Sequence, residues 1–519
     1  MAVAAAIACV AILLPFAYLV VRVAEDGGIA VGAIITTRSA VLLARTLAFG
    51  AVVTGGAILV GVPLAWITTR TNLAGRRVWT IVHALPLAIP TYVAAYAFLG
   101  AYAPRGLVYT LGRLIAPIAQ LPDLTGFFGA AFVLTCATYP YVFLATRASL
   151  IRLDPSFEEA ARGLGLSPGA VFRRVIVPWT RPAIASGALI VALYAISDFG
   201  AVALLRVDTF SRAIYLQYQA SFDRAAAAAL ALVLAGLAMA VVELDARTRT
   251  RARYFRIGSG ASRPGGAASL GRWQVPAQML LGAVALFSLG IPLAVLAYWA
   301  ITAIRFQADF GRLLTASVGS LQAASLTAIV ATLAAAPIAI VSARSSGRFG
   351  ALIERTSYLG YALPGIVVAL SLVFFAANYA FWLYQSLGLL VFAYTIRHLP
   401  QAVGTLRAVI LQVNPHTEEA ARSLGRSAVG AWRDVVLPVV WPGIWTGAAL
   451  VFLTTMKELP ATLLLSPTGY RTLAVLTWQA ASEGFFAEAA IPAFILVVAS
   501  IPPLAILLRG ESSGRPVGE

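Results

Sequence analysis

Apolar stretches of about 20 residues recur along the whole chain, and short polar segments that carry most of the charges separate them. An α-helix of this length crosses the hydrocarbon core of a bilayer. The stretches lack the period-2 alternation of barrel strands, so helices must satisfy the backbone polar groups in lipid. The pattern therefore predicts an all-α, polytopic membrane protein of about twelve transmembrane helices. The predicted spans lie near residues 3–21, 42–67, 78–102, 128–147, 183–204, 225–243, 277–302, 319–342, 354–377, 383–405, 444–465 and 486–508.

One polar segment occurs twice. The first repeated segment, residues 154–178, begins Asp-Pro-Ser-Phe-Glu-Glu-Ala-Ala-Arg-Gly-Leu-Gly. The second repeated segment, residues 414–438, begins Asn-Pro-His-Thr-Glu-Glu-Ala-Ala-Arg-Ser-Leu-Gly, at a constant spacing of 260 residues. Further matches at other spacings pair Pro63 with Pro337 and Pro86 with Pro364. The chain is therefore predicted to consist of two homologous halves whose loops differ in length.

The halves are expected at residues 1–244 and 275–519, each with six spans. An even number of spans inserts both halves in the same orientation, which predicts a parallel arrangement about a pseudo-twofold axis along the membrane normal. Residues 245–274, with alternating arginines followed by a Gly/Ser-rich run, are expected to form a flexible linker. We interpret the first span as retained; a cleaved signal peptide is the alternative.

Each repeated segment has the signals of a short helix, a tight turn and a second short helix. Asp154 and Asn414 are expected N-caps, followed by proline at the first helical position. Gly165 and Gly425 favour a left-handed turn that ends the first helix. A serine two residues later is expected to cap the second helix, which should stop or kink at the proline that closes the segment. An amphipathic loop on the bilayer is the alternative, but a duplicated charged segment favours two docking sites for a partner.

Composition and charge agree with a membrane protein. Apolar residues make up 60% of the chain and charged residues 11%, with a net charge of +17. Most arginines fall on the side that holds both repeated segments, and positive residues favour the cytoplasmic side. The repeated segments are therefore expected to face the cytoplasm, and the basic loops to attract anionic lipid. The arginines are spread over many loops without interleaved aromatics, so a nucleic-acid partner is not expected.

No catalytic constellation is recognisable. The only lysine, Lys457, lies outside any phosphate-binding loop, so no cofactor is expected on this chain. If ATP and Mg²⁺ drive its activity, a separate partner must use them. The histidines are isolated and the two cysteines lie in predicted spans, which provides no metal site. A membrane-embedded enzyme is disfavoured. An ion-coupled secondary transporter stays an alternative, because charged residues occur within spans.

Charged residues inside spans are candidates for a substrate path. Asp198 and Glu458 occupy equivalent positions, and each precedes a helix-weakening residue by two positions. Lys457 and Arg397 are the other candidates. The alternative is local: Lys457 neutralises Glu458, and Asp198 caps a broken helix. Arg397 has Ala137 at its equivalent position, and it either pairs with an acid inside the bundle or lies near the headgroups.

The motif Glu-Glu-Ala-Ala-Arg-x-Leu-Gly resembles the cytoplasmic loop of permease subunits of binding-protein-dependent ABC importers. The resemblance implies a fused permease of a bacterial inner membrane. Its two loops would form coupling helices, each docking on one copy of a separate ATPase subunit, and a periplasmic solute-binding protein would be a further partner. The residues implied in docking are Glu158, Glu159, Ala160, Ala161, Gly165, Glu418, Glu419, Ala420, Ala421 and Gly425.

A second resemblance concerns the cargo. The stretch from Met456 to Ala474 and the Asp-Phe-Gly sequence at Asp198 are similar to ferric-iron permeases of that family. This resemblance implies iron transport, with Fe(III) as the solute. Thiamine, polyamine and sulfate permeases share the architecture and stay open as alternatives.

Overall fold

A computed structural model describes residues 1–25, 32, 34–103, 106–108, 110, 125–153, 155–220, 224–249, 268–305, 309–345 and 347–512. In this part of the chain the structure is helical apart from loops and one isolated β-bridge. The principal helices are Ala2–Glu25, Thr37–Arg70, Arg76–Ala84, Thr91–Tyr102, Phe127–Arg152, Pro155–Gly163, Val177–Ser197, Phe210–Ala220, Arg224–Arg249, Gln274–Ala285, Ile291–Arg305, Phe310–Arg344, Arg348–Ala362, Gly365–Tyr379, Leu387–Ile410, Pro415–Ser423, Leu437–Met456, Leu473–Ser482 and Phe486–Ser512.

The described residues contain nine helices that are long and apolar enough to cross a membrane, and two bent helix pairs raise the number to as many as eleven. The prediction of a polytopic all-α protein is therefore confirmed. The expected span 383–405 corresponds to the 24-residue helix Leu387–Ile410, which is not among those nine. Most of the predicted linker, residues 250–267, lies outside the described residues.

The predicted spans 78–102 and 354–377 are not straight. Each is a helix pair bent by 94°, with the second helix starting directly after a proline in extended conformation. Those prolines are Pro90 and Pro364, at the same spacing of 274 residues that separates Pro63 from Pro337. Pro86 is therefore not the equivalent of Pro364. The sequence match was displaced by about one helical turn, because the short Ala-Leu-Pro motif occurs just before the true counterpart.

Two other expectations are corrected at the repeated segments. Of the two outcomes expected at Pro178 and Pro438, a stop or a kink, the stop is wrong: a π-helical turn leads directly into the following span. The wider π turn accommodates a residue that lacks an N–H and would clash with a regular α-helical carbonyl. The spans predicted at 183–204 and 444–465 therefore begin earlier, and each breaks near its far end, at Asp198 and at Lys457.

The chain divides into two compact units that do not coincide with its sequence halves. One unit contains residues 1–39, 213–236 and 300–519, and the other contains residues 40–212 and 237–299. In the first unit, helix Ala2–Glu25 packs against second-half helices. Tyr18 accepts a hydrogen bond from Asn378 at 3.2 Å and packs edge-on to Phe375.

The second unit shows the reciprocal exchange. The indole N–H of Trp79 donates to the amide oxygen of Gln278 at 2.8 Å, and Trp299 donates to the carbonyl of Gly100 at 3.0 Å. Val295 packs with alanines of helix Thr91–Tyr102. The first helices of the second half thus complete the core of a unit that is otherwise built from the first half.

Candidate functional site

The two repeated segments fold in the same way. The helices Pro155–Gly163 and Pro415–Ser423 each end at a glycine with positive φ, 81° at Gly165 and 87° at Gly425. In both copies the last turn is closed by the same set of backbone hydrogen bonds, including Leu166 N to Ala161 O at 3.2 Å. This six-to-one and five-to-two bonding is a Schellman motif, in which glycine avoids the Cβ strain of a left-handed residue.

The N-terminal ends of these helices are also well defined. The side chain of Asn414 accepts a hydrogen bond from the His416 backbone at 3.0 Å, which is the expected cap. Its counterpart Asp154 lies outside the described residues. Ser427 accepts from the Gly430 backbone at 3.1 Å and Ser167 from the Ala170 backbone at 3.4 Å, so each starts the second short helix. Each segment is therefore a short helix, a turn closed by backbone hydrogen bonds and a second short helix.

The residues implied in docking divide between two faces of each helix. Glu158 and Ala161 are buried, and Glu418 and Ala421 are partly buried, because a spacing of three places each pair on one helical face. The opposite face is exposed and carries Glu159, Ala160, Gly165, Glu419, Ala420 and Gly425. An exposed face with one carboxylate, small residues and a rigid turn can fit into a groove of a partner protein.

Sequence reasoning missed one element of that face. Leu164 is 83% exposed and Leu424 is 86% exposed, at equivalent positions directly before the turn glycine. The exposed face of each repeated segment therefore also carries an apolar side chain at its turn. Both copies of the motif contain this leucine. In a chain that is 60% apolar, however, the sequence does not indicate that the side chain is exposed.

Each inward-facing glutamate is paired with an arginine at the end of a long helix. Arg70 Nη1 lies 3.4 Å from Glu158 Oε1, and Arg344 Nη2 lies 3.6 Å from Glu418 Oε2. Arg70 also donates from Nη2 to the carbonyls of Leu150 and Leu153, at 2.7 and 2.9 Å. The Arg70–Glu158 pair is a charge contact without hydrogen-bond alignment, since Oε1 accepts no hydrogen bond from the described residues.

Asp198 lies at the break of its span and is buried. One carboxylate oxygen accepts from the backbone of Ala201 and Val202, at 3.0 and 3.2 Å, and so caps the short helix that follows. The other oxygen accepts from the hydroxyl of Thr91 at 2.6 Å. Thr91 is the first residue of the helix after the bend at Pro90. The carboxylate therefore ties two helix breaks together.

Glu458 occupies the equivalent break with a different partner. Its carboxylate forms an ion pair with Arg397 and accepts a hydrogen bond from the backbone N–H of Ala461 at 3.4 Å. The pair rests against Gly365, the first residue after the bend at Pro364, where a Cβ atom would overlap the guanidinium and lie 2.6 Å from Glu458 Oε1. The expectation that Arg397 pairs with an acid inside the bundle is confirmed. Glu458 pairs with Arg397, and Lys457 is the C-cap of the preceding helix.

The charged residues thus form local clusters at helix breaks, and their lining of a substrate path stays a prediction. Among the described residues, no group of three or more histidine, cysteine, aspartate or glutamate side chains is close enough to hold a metal ion.

The chain is similar to several transport proteins. The family model described as "Binding-protein-dependent transport system inner membrane component" matches twice, over residues 57–247 and 335–509. The "Fe(3+)-transport system permease protein FbpB 2" of Haemophilus influenzae is 33% identical over 96% of this chain and 95% of that protein. The sulfate transport system permease protein CysT of Escherichia coli is 28% identical over 42% of this chain and 80% of that protein.

A solved bacterial ABC transporter that imports the acidic polysaccharide alginate is matched over 43% of this chain and 83% of that chain, with 18% identity and a TM-score of 0.34. The two family matches cover both repeated segments, and the similarity to the Haemophilus influenzae permease extends over nearly the full length of both proteins. The chain belongs to the inner-membrane components of binding-protein-dependent transport systems and carries both permease halves of such a system in one polypeptide.

Proposed function

We propose that this multi-pass permease imports ferric iron by alternating access, driven by ATP that separate subunits hydrolyse. The observation that supports the cargo is the 33% identity, over nearly the whole of both chains, to a permease named for Fe(3+) transport. A periplasmic binding protein would deliver the ion. Such delivery places the selective contacts mainly outside this chain, so the proposal does not require a metal cluster within it.

We propose that one ATPase subunit docks on each of the two repeated segments. Their outward faces are alike in Glu159 and Glu419, in small residues and in the exposed leucines, so two identical partners would find the same surface twice. We infer that these faces lie in the cytoplasm, where ATP is available, as the arginine distribution indicates. The buried Glu158 and the partly buried Glu418 point away from that surface.

Sulfate import is the second candidate. A sulfate permease is also similar to this chain, but over 42% of its length, whereas the ferric permease is similar over 96%. The experiment reconstitutes the complex of this chain and its ATPase subunits in proteoliposomes, with the cognate binding protein outside. Ferric-loaded binding protein is expected to stimulate ATP hydrolysis and to deliver radioactive iron to the lumen, whereas sulfate has neither effect. Stimulation and uptake with sulfate, and none with ferric iron, would reject iron as the cargo.

A further inference from the structure

The inference concerns the two arginines that end the long helices Thr37–Arg70 and Phe310–Arg344. It rests on the proposed function, in which the repeated segments dock ATPase subunits. We propose that Arg70 and Arg344 are positioning residues that join each docking helix to the end of a long span. In this arrangement Glu158 and Glu418 belong to the internal joint, and the ATPase subunit contacts Glu159 and Glu419.

The joint between an arginine and a glutamate occurs twice, although the number of residues between the two partners differs. Arg70 and Glu158 are 88 residues apart, whereas Arg344 and Glu418 are 74 residues apart. Both pairs nevertheless bring a guanidinium within 4 Å of the first glutamate of the motif. A contact that is retained through a change of loop length is a property of the folded arrangement and does not follow from local sequence.

The positions of the charges at helix ends also favour the joint. Glu158 lies in the first turn of its helix, where a carboxylate is favoured by the helix dipole. Arg70 lies in the last turn of its own helix and donates to two carbonyls at the end of helix Phe127–Arg152, where a cation is favoured. One guanidinium therefore connects three helix ends. The side chains of Arg70 and Glu158 are only 13% and 12% exposed, so solvent screens this joint weakly.

The joint is also placed where it can pass movement from the docking helix to a long span. A docking helix of nine residues has little contact area of its own, and its exposed face would be occupied by the partner. Movement of the partner can reach the membrane through the following span, into which the segment continues, and through the inward face, which carries the glutamate and its arginine. The long helix Phe310–Arg344 has 35 residues, so a displacement at Arg344 can be carried about 50 Å along a continuous rod.

The test uses the second copy, where the described contacts of the joint reduce to one ion pair. Arg344→Gln is expected to retain the ATPase subunits during purification and to keep basal ATP hydrolysis, while iron uptake per ATP hydrolysed falls by about fivefold or more. Arg344→Lys keeps a cation beside Glu418 and at the end of the long helix, and we expect it to retain at least half of the uptake that Arg344→Gln loses. Retention of uptake distinguishes a specific joint from general damage to the fold.

Two controls complete the design. Arg312→Gln removes the same charge at the opposite end of the same helix and should leave uptake per ATP unchanged. Glu159→Ala with Glu419→Ala should instead reduce the amount of ATPase subunit that co-purifies. Loss of the ATPase subunit in Arg344→Gln, unchanged uptake per ATP, or failure of Arg344→Lys to retain uptake would each overturn the inference. If wild-type complexes show no iron uptake, the proposed cargo fails, and the inference is then tested with sulfate as the transported solute: uptake per ATP should again fall in Arg344→Gln and stay unchanged in Arg312→Gln.

Discussion

At the residue scale, the two units solve one packing problem with different side chains. A carboxylate at the break of a span must be satisfied close to the first residue after a sharp bend. In one unit Thr91 donates a hydroxyl to Asp198, and the position equivalent to Arg397 is Ala137. In the other unit Arg397 pairs with Glu458, and a glycine stands where the threonine would be. The glycine is required because the guanidinium fills the space of a side chain.

This compensation predicts the stability of variants at Gly365. Gly365→Thr alone forces a side chain into the guanidinium and is expected to cost about 1–3 kcal/mol. Arg397→Ala alone leaves a buried carboxylate without its charge partner and should cost about 3–5 kcal/mol. The combined variant gives the second unit the threonine and alanine of the first and should be more stable than Arg397→Ala. Thermal unfolding in detergent measures all three, and additive losses would contradict the compensation.

At the element scale, the turn glycines decide whether the docking helices keep their shape. Gly165→Ala and Gly425→Ala place a Cβ atom at φ values of 81° and 87°, which costs about 1–2 kcal/mol per residue. We expect the ends of the docking helices to unwind, which moves the exposed leucines and reduces ATPase co-purification. Gly163→Ala is the matched control, because this glycine has ordinary helical φ and open space around its Cβ position. A loss with Gly163→Ala equal to that with Gly165→Ala would contradict the role of the turn.

The elements also show what could be predicted from the sequence. The repeated segments were predicted in detail because their signals are local: a cap, a proline, and a glycine at a fixed distance. The 94° bends were not predicted, since the two helices of each pair are together long and apolar enough to count as one span, and hydropathy carries no direction. The joint at Arg70 and the pair at Arg397 join residues that are distant in sequence, so only the folded chain brings them together.

At the scale of the whole molecule, each compact unit contains helices from both sequence halves. The helix Ala2–Glu25 depends on second-half residues such as Asn378, and the helix that contains Trp299 depends on the first half. A half of the chain therefore lacks part of its own core. The repeat in sequence and the division in space are different properties, and the pattern of apolar residues reveals only the first.

This exchange predicts the behaviour of a divided chain. When the chain is opened between residues 249 and 268, either half expressed alone should aggregate or be degraded, because its unit misses one or more helices. Expression of both halves together should restore a complex of the size of the intact chain, as judged by size-exclusion chromatography in detergent. Stable, monodisperse halves expressed separately would show that the exchanged helices contribute little to the fold.

The crossed first helices have a consequence for how such a permease can change over generations. If each half of a permease kept its own core, a hybrid could replace one half without disturbing the other. Here a hybrid that takes residues 1–249 from one relative and the remainder from another would mismatch both hydrophobic cores at once. Recombination between relatives should therefore succeed more often when the first helix travels with the second half, so that breakpoints follow the spatial units and ignore the boundary between repeats.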